Sequence, residues 1–103
     1  MIANAALIIV EGLISVAANY SPSVDDYIIL ATEDITITLP VPETSRGAHY
    51  IIKKTDAEGK TVTIATTGTV DMDGDSSLTL TQQYEGVEVV CDGTQWYKVG
   101  IMG

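Results

Sequence analysis

The sequence predicts an all-β fold: a small antiparallel sandwich, a jelly-roll-like domain or a barrel, with an apolar N-terminal arm. The first observation is composition, because Ile (12), Val (10) and Thr (13) supply 35 of the 103 residues. Side chains branched at Cβ fit a pleated sheet better than a helix. The second is patterning, since short segments of alternating apolar and polar residues recur at roughly ten-residue spacing. The third is the Gly, Pro and Asp-Gly punctuation between these segments.

The arm is predicted over residues 1–19 and the β-domain over residues 20–103. Of the first 20 residues, 15 are apolar, and Glu11 is the one charged residue among them. The run Leu7 to Val10 is typical of a buried strand. A helix would instead align four apolar side chains on one face: Leu7, Val10, Ile14 and Ala17. Periodicity leaves helix and strand open, but no apolar run approaches the ~18 residues that a bilayer requires.

The β-domain is predicted to hold about seven short strands. In chain order they are Tyr27–Ala31, Ile35–Leu39, Tyr50–Lys54, Thr61–Thr66, Leu78–Thr81, Val87–Cys91 and Gln95–Val99. Pro40 and Pro42 end the second strand, because neither can donate to a ladder. The segment 56–59 favours a hairpin between the third and fourth strands, and Asp92-Gly93 is a strong hairpin signal between the last two.

The charge balance limits the possible partners. Fourteen acidic and five basic residues give a net charge of −9 and a pI near 4.1. Nucleic-acid binding needs a basic surface, and anionic membranes also repel such a chain, so neither partner is expected. Charged residues are 18% of the chain, below the roughly 25% of ordinary soluble domains. Part of the surface is therefore expected to be buried in an assembly. No basic residue precedes Arg46, which argues against a signal peptide.

Few residues could carry chemistry. Asp71 to Asp75 reads DMDGD, like the start of a calcium loop, but Ser76 and Gln82 stand where that loop requires Gly and Glu. A hairpin turn is the favoured interpretation. His49 is the single histidine, and Cys91, the single cysteine, shares a face with apolar neighbours. We expect no enzyme activity, no catalytic or metal-ligating residue and no cofactor.

Two adjacent aromatic residues, Trp96 and Tyr97, must point to opposite faces of one strand. One is expected to fill the core and the other to meet solvent or a neighbour. An exposed aromatic ring could stack on a sugar or pack in a subunit interface. The sequence leaves both uses open.

Several short motifs follow one another in a characteristic order along residues 20–100. They are Tyr27-Ile28-Ile29-Leu30, Thr38-Leu39-Pro40, Gly47 before Tyr50-Ile51-Ile52-Lys53, Gly59 before Val62-Thr63-Ile64, Asp73-Gly74 before Leu78-Thr79-Leu80, and Asp92-Gly93-Thr94 before Trp96-Tyr97. This order resembles a β-domain that recurs in tailed-bacteriophage virion proteins, in fibres, tail appendages and head decorations. The resemblance implies a structural and binding module, commonly trimeric, that is not an enzyme.

The resemblance implies a capsid decoration (cement) protein, made in the host cytoplasm and located on the capsid surface. Fibre proteins are usually long, whereas here the domain fills nearly the whole chain, and no Gly-X-Y or coiled-coil repeat forms a shaft. The expected partners are the chain itself, as a homotrimer, and the major capsid protein. The expected interface residues are Ile2, Leu7, Ile8, Ile9, Val10, Leu13 and Ile14.

The alternative is a tail-fibre or receptor-binding module that recognises host surface glycan. Its contacts would be Trp96, Tyr97 or the acidic turn at 71–75. A third class is a cell-encoded sugar-binding module or an orphan domain.

Overall fold

The structure, a computed structural model, describes residues 12–23, 25–56 and 59–102. Within these ranges the chain forms strands and one short 3-10 helix, and no α-helix. The strands are β1 (Leu13–Val16), β2 (Ile28–Ala31), β3 (Ile35–Thr38), β4 (His49–Lys54), β5 (Val62–Ala65), β6 (Ser77–Leu80), β7 (Gly86–Cys91) and β8 (Trp96–Met102), with the 3-10 helix at Pro42–Thr44. The predicted all-β fold is confirmed. No helix in the described ranges is long and apolar enough to cross a membrane.

Two sheets pack face to face as an open sandwich. One sheet has the strand order β1-β2-β4-β7-β8 and the other β3-β5-β6, and they do not close into a barrel. The core between them is formed by alternate strand residues, as the sequence predicts. Its fully buried members include Ile29, Ile37, Ile52, Val62, Ile64, Val87, Val89 and Trp96.

The sheets are mixed, which corrects the expectation of a wholly antiparallel sandwich. In the first sheet β1, β2 and β4 run parallel, and in the second β3 and β5 run parallel. The pairs β4–β7, β7–β8 and β5–β6 are antiparallel. The parallel pairs arise because β2 is followed by β3, and β4 by β5, in the opposite sheet. Two consecutive strands that lie in opposite sheets, such as β2 and β3, form an arch. The next arch, β4 and β5, runs in the same direction beside it, so equivalent strands pair in parallel.

The predicted hairpin between the third and fourth sequence strands is therefore wrong. β4 and β5 do not pair, and each faces the core from a different sheet. At the corner between them Lys54 is fully buried, and its Nζ lies 2.8 Å from Oδ1 of Asp56. This ion pair belongs to a turn between layers, which local turn chemistry alone does not distinguish from a hairpin.

The predicted hairpin between the last two strands is confirmed. Val90 pairs with Tyr97 and Cys91 with Trp96 across the β7–β8 turn. In that turn Gly93 has φ +97°, a conformation that suits glycine. A bulge lies between Glu88 and Val89, where the register shifts.

The choice between helix and strand is resolved for one part of the arm. Leu13–Val16 is a strand, β1, at the edge of the five-stranded sheet, and Val16 joins the core. Gly12 precedes it with φ +90°, and a Cβ there would lie 3.0 Å from Cβ of Tyr27. Only glycine suits both that backbone conformation and that space. Residues 1–11, with Ile2 and Leu7 to Val10, lie outside the described residues.

Candidate interaction surface

The outer face of the five-stranded sheet, which points away from the core, is apolar across most of its width. Strand side chains alternate between faces, and the inward positions Ile29, Ile52 and Val89 have no solvent exposure. The outward positions carry an apolar residue on every strand, together with the polar residues Ser15, His49, Lys53 and Glu88. We name as the apolar face the outward residues Leu13, Ile28, Leu30, Ile51, Val90, Tyr97 and Val99.

Register makes these side chains neighbours. Leu13 stands opposite Ile28, and Ile28 stands opposite Ile51, so three strands contribute one apolar row. Further along the sheet Val90 stands opposite Tyr97. Residues that face each other on neighbouring strands have Cβ atoms about 4.5–5.5 Å apart, within packing contact. The apolar rows are therefore continuous from β1 to β4 and from β7 to β8, and where β4 meets β7 they end at Glu88 opposite Ile51 and at His49 opposite Val90.

The two edge strands carry its most exposed members. Leu13 on β1 is 57% exposed and Val99 on β8 is 55% exposed. Single exposed apolar side chains are ordinary, but contiguous apolar patches on soluble monomers are uncommon and mark interaction sites. Apolar residues of β2, β4 and β7 lie between these two edges, and the face is therefore a candidate interaction surface.

The polar side chains on this face have partners within the chain. Nε2 of His49 lies 2.7 Å from Oε2 of Glu88, an ion pair when the imidazole is protonated. The ring of Tyr27 meets the His49 ring edge-on, with centroids 4.8 Å apart. Nζ of Lys53 lies 5.9 Å from the centroid of the Tyr84 ring, within cation–π range. Glu88 stands opposite Ile51 and ends the apolar row Leu13–Ile28–Ile51 at β7.

One end of the face is polar and ordered. The side-chain amide of Gln95 donates to the Tyr97 hydroxyl at 3.0 Å, and that hydroxyl donates to Asp92 at 3.2 Å. Asp92 also accepts the backbone N–H groups of Gln95 and Thr94, which hold the pKa of this carboxyl below its usual value. Tyr97 thus presents a ring of fixed orientation on the rim of the apolar face.

Acidic residues are kept off the sheets. Twelve of the fourteen acidic residues lie in the described ranges, and among those twelve only Glu88 lies within a strand. The others lie in turns and connections at the ends and edges of the sandwich. The strong negative charge and the apolar face are therefore segregated.

The outer face of the three-stranded sheet has different chemistry. Thr36 pairs with Thr63, and Thr63 pairs with Thr79, in a row of hydroxyls across all three strands. The next row contains Thr38, Ala65 and Ser77. This second outer face is suited to water.

The structure separates the sequence-predicted interface residues that it describes. Leu13 lies on the apolar face, whereas Ile14 points to the other side of the sheet and packs against the core. The other expected interface residues precede Gly12 and lie outside the described residues. Of the predicted set, Leu13 is the residue that the structure places on an accessible surface.

Of the two aromatic candidates, Trp96 belongs to the core. It has no solvent exposure, stacks on Tyr50 with ring centroids 5.7 Å apart, and donates from Nε1 to the carbonyl of Pro40 at 3.1 Å. The expectation that Trp96 could be a glycan or interface contact is therefore corrected, because Trp96 offers no surface. Tyr97 is half-buried and remains a candidate.

The turn at 71–75 is tied to β8. Met72 is buried, Oδ2 of Asp73 accepts the backbone N–H of Lys98 at 3.3 Å, and Asp75 lies 3.6 Å from Nζ of Lys98. Within the described ranges no group of three or more His, Cys, Asp or Glu side chains could hold a metal ion. Cys91 is buried, as the sequence predicts.

Sequence reasoning missed most of the apolar face, although a signal was present. The predicted strands include Ile28, Leu30, Ile51, Val90 and Val99, but their outward orientation was not predicted. β2 reads IILA, the middle of β4 reads YII, and the end of β7 reads VVC. Apolar runs without alternation are typical of strands that are buried on both faces.

Comparison with protein-family models, with curated proteins and with solved structures gave no match to this chain.

Proposed function

We propose that the chain is a capsid decoration protein of a tailed bacteriophage, which binds the head as a homotrimer and stabilises it. The observation that carries this proposal is the apolar face on a strongly acidic chain. The resemblance of residues 20–100 to phage virion domains supplies the class of partner, and the apolar face supplies the contact. The proposed partner at that face is the major capsid protein.

The chemistry of the face suits a protein partner. Protein–protein interfaces are depleted of charge at their centre and enriched in aromatic residues. The face has this composition, with a central row of Leu13, Ile28 and Ile51, and Tyr97 near its rim. Acidic turns surround the sandwich and would stay in water.

The proposed mechanism is mechanical. Covering the apolar face on assembled capsomers removes apolar surface from water, at about 25 cal/mol per Å². The trimers would bind at many symmetric positions on the head, and their weak contacts would add up through multivalency. Association at this face favours the assembled lattice over separate capsomers because only the assembled lattice offers the full contact.

The test uses heads assembled without this protein, to which purified full-length chain is added. We expect the wild-type chain to co-sediment with heads and to raise their resistance to heat. Val99→Lys should weaken binding by about tenfold or more, because it places a charge in a desolvated contact. The matched control is Thr79→Lys, an exposed position on the hydroxyl-bearing sheet, which should bind like the wild type. Equal binding by both variants, or no binding by the wild type, would contradict the proposal.

A second candidate, a receptor-binding module for host glycan, is favoured by one observation. The Tyr97 ring stands beside the amide of Gln95 and the carboxylate of Asp92, and such polar groups bind sugar hydroxyls beside a stacking ring. A glycan array with the wild type and with Tyr97→Ala distinguishes the two. Binding to a glycan that Tyr97→Ala abolishes would favour the receptor-binding function, and a decoration protein should bind none.

A further inference from the structure

One carboxylate stands on the apolar face. Among the twelve acidic residues that the structure describes, Glu88 alone lies within a strand, and its side chain is 31% exposed. It stands opposite Ile51 on β4 and opposite Gly100 on β8, so neither residue across from it carries a charge. A carboxylate at this place is costly to cover, because a buried charge that finds no partner loses its hydration without compensation.

The partner of Glu88 within the chain occupies only part of its carboxylate. Nε2 of His49 lies 2.7 Å from Oε2 of Glu88. The two oxygens of an ionised carboxylate together accept about four hydrogen bonds, so one neighbour leaves acceptor positions open. The ammonium of Lys53, on the same face, lies 5.9 Å from the centroid of the Tyr84 ring. The carboxylate of Glu88 can therefore accept further hydrogen bonds from another molecule.

Gly100 leaves room beside this carboxylate. Residues opposite each other in an antiparallel pair share a face, and Gly100 brings no side chain to the position opposite Glu88. Apart from its chain neighbours, no atom of the described residues would lie within 4 Å of a Cβ at Gly100, and its φ is not positive. Neither crowding nor backbone conformation therefore requires glycine here. A side chain that approaches Glu88 from outside would use the space.

We propose that the partner protein places a cationic side chain, a guanidinium or an ammonium, over Gly100 and in contact with the Glu88 carboxylate. The inference rests on the proposed function, because it names the chemistry of the partner surface that covers the apolar face. That surface is apolar and carries one positive charge within it. Apolar contact alone would allow the two surfaces to slide, whereas a charge pair fixes their register.

The charge of the whole chain favours the same kind of partner. A net charge of −9 attracts a positive surface and raises the rate of encounter with it. The other described acidic residues lie in turns and connections. Charges at the rim of an interface change the rate of association, whereas a charge pair buried within it changes the rate of dissociation. The two contributions can therefore be measured separately.

The first test measures binding of full-length variants to heads assembled without this protein, at equal fractions of folded protein. Glu88→Gln keeps the shape of the side chain and removes its charge. We expect at least about tenfold weaker binding, through faster dissociation, because the partner's cation then stays buried without a counter-charge. Glu88→Lys should bind more weakly still, because like charges would meet. The controls Glu43→Gln and Glu43→Lys make the same changes in net charge at an exposed residue and should dissociate like the wild type.

The sign of the Glu88→Gln effect decides between a cation and its absence. With no cation opposite, removal of a charge from a covered contact would strengthen binding. Binding by Glu88→Gln that equals or exceeds that of the wild type would therefore overturn the inference, and so would equal binding by Glu88→Lys and Glu88→Gln. The proposed function would stand in both cases, because the wild type still binds. Failure of the wild type to bind heads would contradict the proposed function, and the inference with it.

The second test separates contact with the partner from support of Glu88 within the chain. His49→Gln removes the internal partner and should weaken head binding by about threefold or less. Gly100→Val fills the space beside the carboxylate and should dissociate at least about tenfold faster than the wild type. Its control, Ser77→Val, places the same side chain at an exposed position of β6 and should behave like the wild type. A loss in His49→Gln as large as that in Glu88→Gln, or wild-type dissociation of Gly100→Val, would overturn the inference.

Discussion

The outer faces of the two sheets meet the surroundings with opposite chemistry. Thr36, Thr63 and Thr79 form a row of hydroxyls on the three-stranded sheet. On the five-stranded sheet the corresponding central row starts with Leu13, Ile28 and Ile51. Thr and Ile have the same branching at Cβ and both favour strands. Strand propensity therefore does not explain the difference, whereas the medium that each face contacts does.

A strand exposed to water on one side alternates, and β3 (ITIT) and β6 (SLTL) do so. A strand that is covered on both sides does not need to alternate, and β2 (IILA) does not. The comparison teaches that β2 and the middle of β4 have the composition expected of strands between two apolar layers. One of these is the core, and the other is the proposed partner.

The largest expected loss of stability is at Asp56, which pairs with the buried Lys54. Asp56→Ala removes the carboxylate 2.8 Å from the buried Lys54 ammonium and should lower the free energy of unfolding by about 3–5 kcal/mol. Glu88→Ala removes the ion pair on the apolar face, half-exposed at both partners, and should cost about 0–1 kcal/mol. Urea unfolding of both variants measures the contrast. Similar losses would mean that the outer pair also supports the fold.

Neighbouring isoleucines on β4 test the two sides of one strand. Ile52 is fully buried, so Ile52→Ala should lower the free energy of unfolding by about 2–5 kcal/mol. Ile51 faces outward, and Ile51→Ala should cost about 1 kcal/mol or less in the free chain. Head binding should show the opposite order: with the fraction of folded protein held constant, Ile51→Ala should lose more affinity for heads than Ile52→Ala. A large loss of stability in Ile51→Ala would assign the apolar face to the fold itself.

Exchanging the chemistry of the two faces should alter association more than stability. Thr63→Ile places an apolar side chain in the hydroxyl row, and Ile51→Thr places a hydroxyl in the apolar row; both keep a β-branched residue. Each should change the free energy of unfolding by about 1 kcal/mol or less. In co-sedimentation with heads, Ile51→Thr should reduce binding, and Thr63→Ile should bind like the wild type. Loss of association in Thr63→Ile alone would reverse the assignment of the faces.

The smallest effect concerns the edge of the three-stranded sheet. The Tyr20 hydroxyl donates to Asp26 at 2.5 Å, and this hydrogen bond, with burial and the carboxylate charge, raises the pKa of Tyr20 from 10.0 to about 12. The folded-state value is raised, so the resulting stability is fully present below pH 10.0 and is lost as the pH rises through about 12. Phenolate absorbance should show this late titration in the wild type and lose it in Tyr20→Phe. Asp26→Asn should move the pKa of Tyr20 back toward 10.0.

Local patterns in the sequence predict much of the fold. Strict alternation in Ile35–Leu39 predicts β3, and Asp92-Gly93 predicts the β7–β8 hairpin, because both depend on neighbours in the chain. The parallel pairing of β1 with β2 and of β2 with β4 could not be predicted in this way. A turn that leads to the opposite sheet and a turn that forms a hairpin use the same residue types. Which sheet receives β5 depends on packing across the whole sandwich.

The candidate surface was predicted only at Leu13 and Tyr97. The apolar excess of the first 20 residues predicts an interface in the arm. The unbroken apolar runs in β2 and β4 are equally typical of ordinary core strands, so they did not predict a second surface. Register decides the matter, because it aligns Ile28 and Ile51 beside Leu13. Register between parallel strands is set by long-range contacts and has no local sequence signal.

Thiol labelling on assembled heads tests most directly whether the apolar face is covered and the hydroxyl row is not. Val99→Cys and Thr79→Cys place one exposed thiol on each outer face, and the native Cys91 is buried. On heads that carry the protein, the thiol of Val99→Cys should react at least about tenfold more slowly than in the free protein. The thiol of Thr79→Cys should react at the same rate in both states. Equal rates for Val99→Cys on heads and in solution, with Thr79→Cys protected instead, would contradict the account.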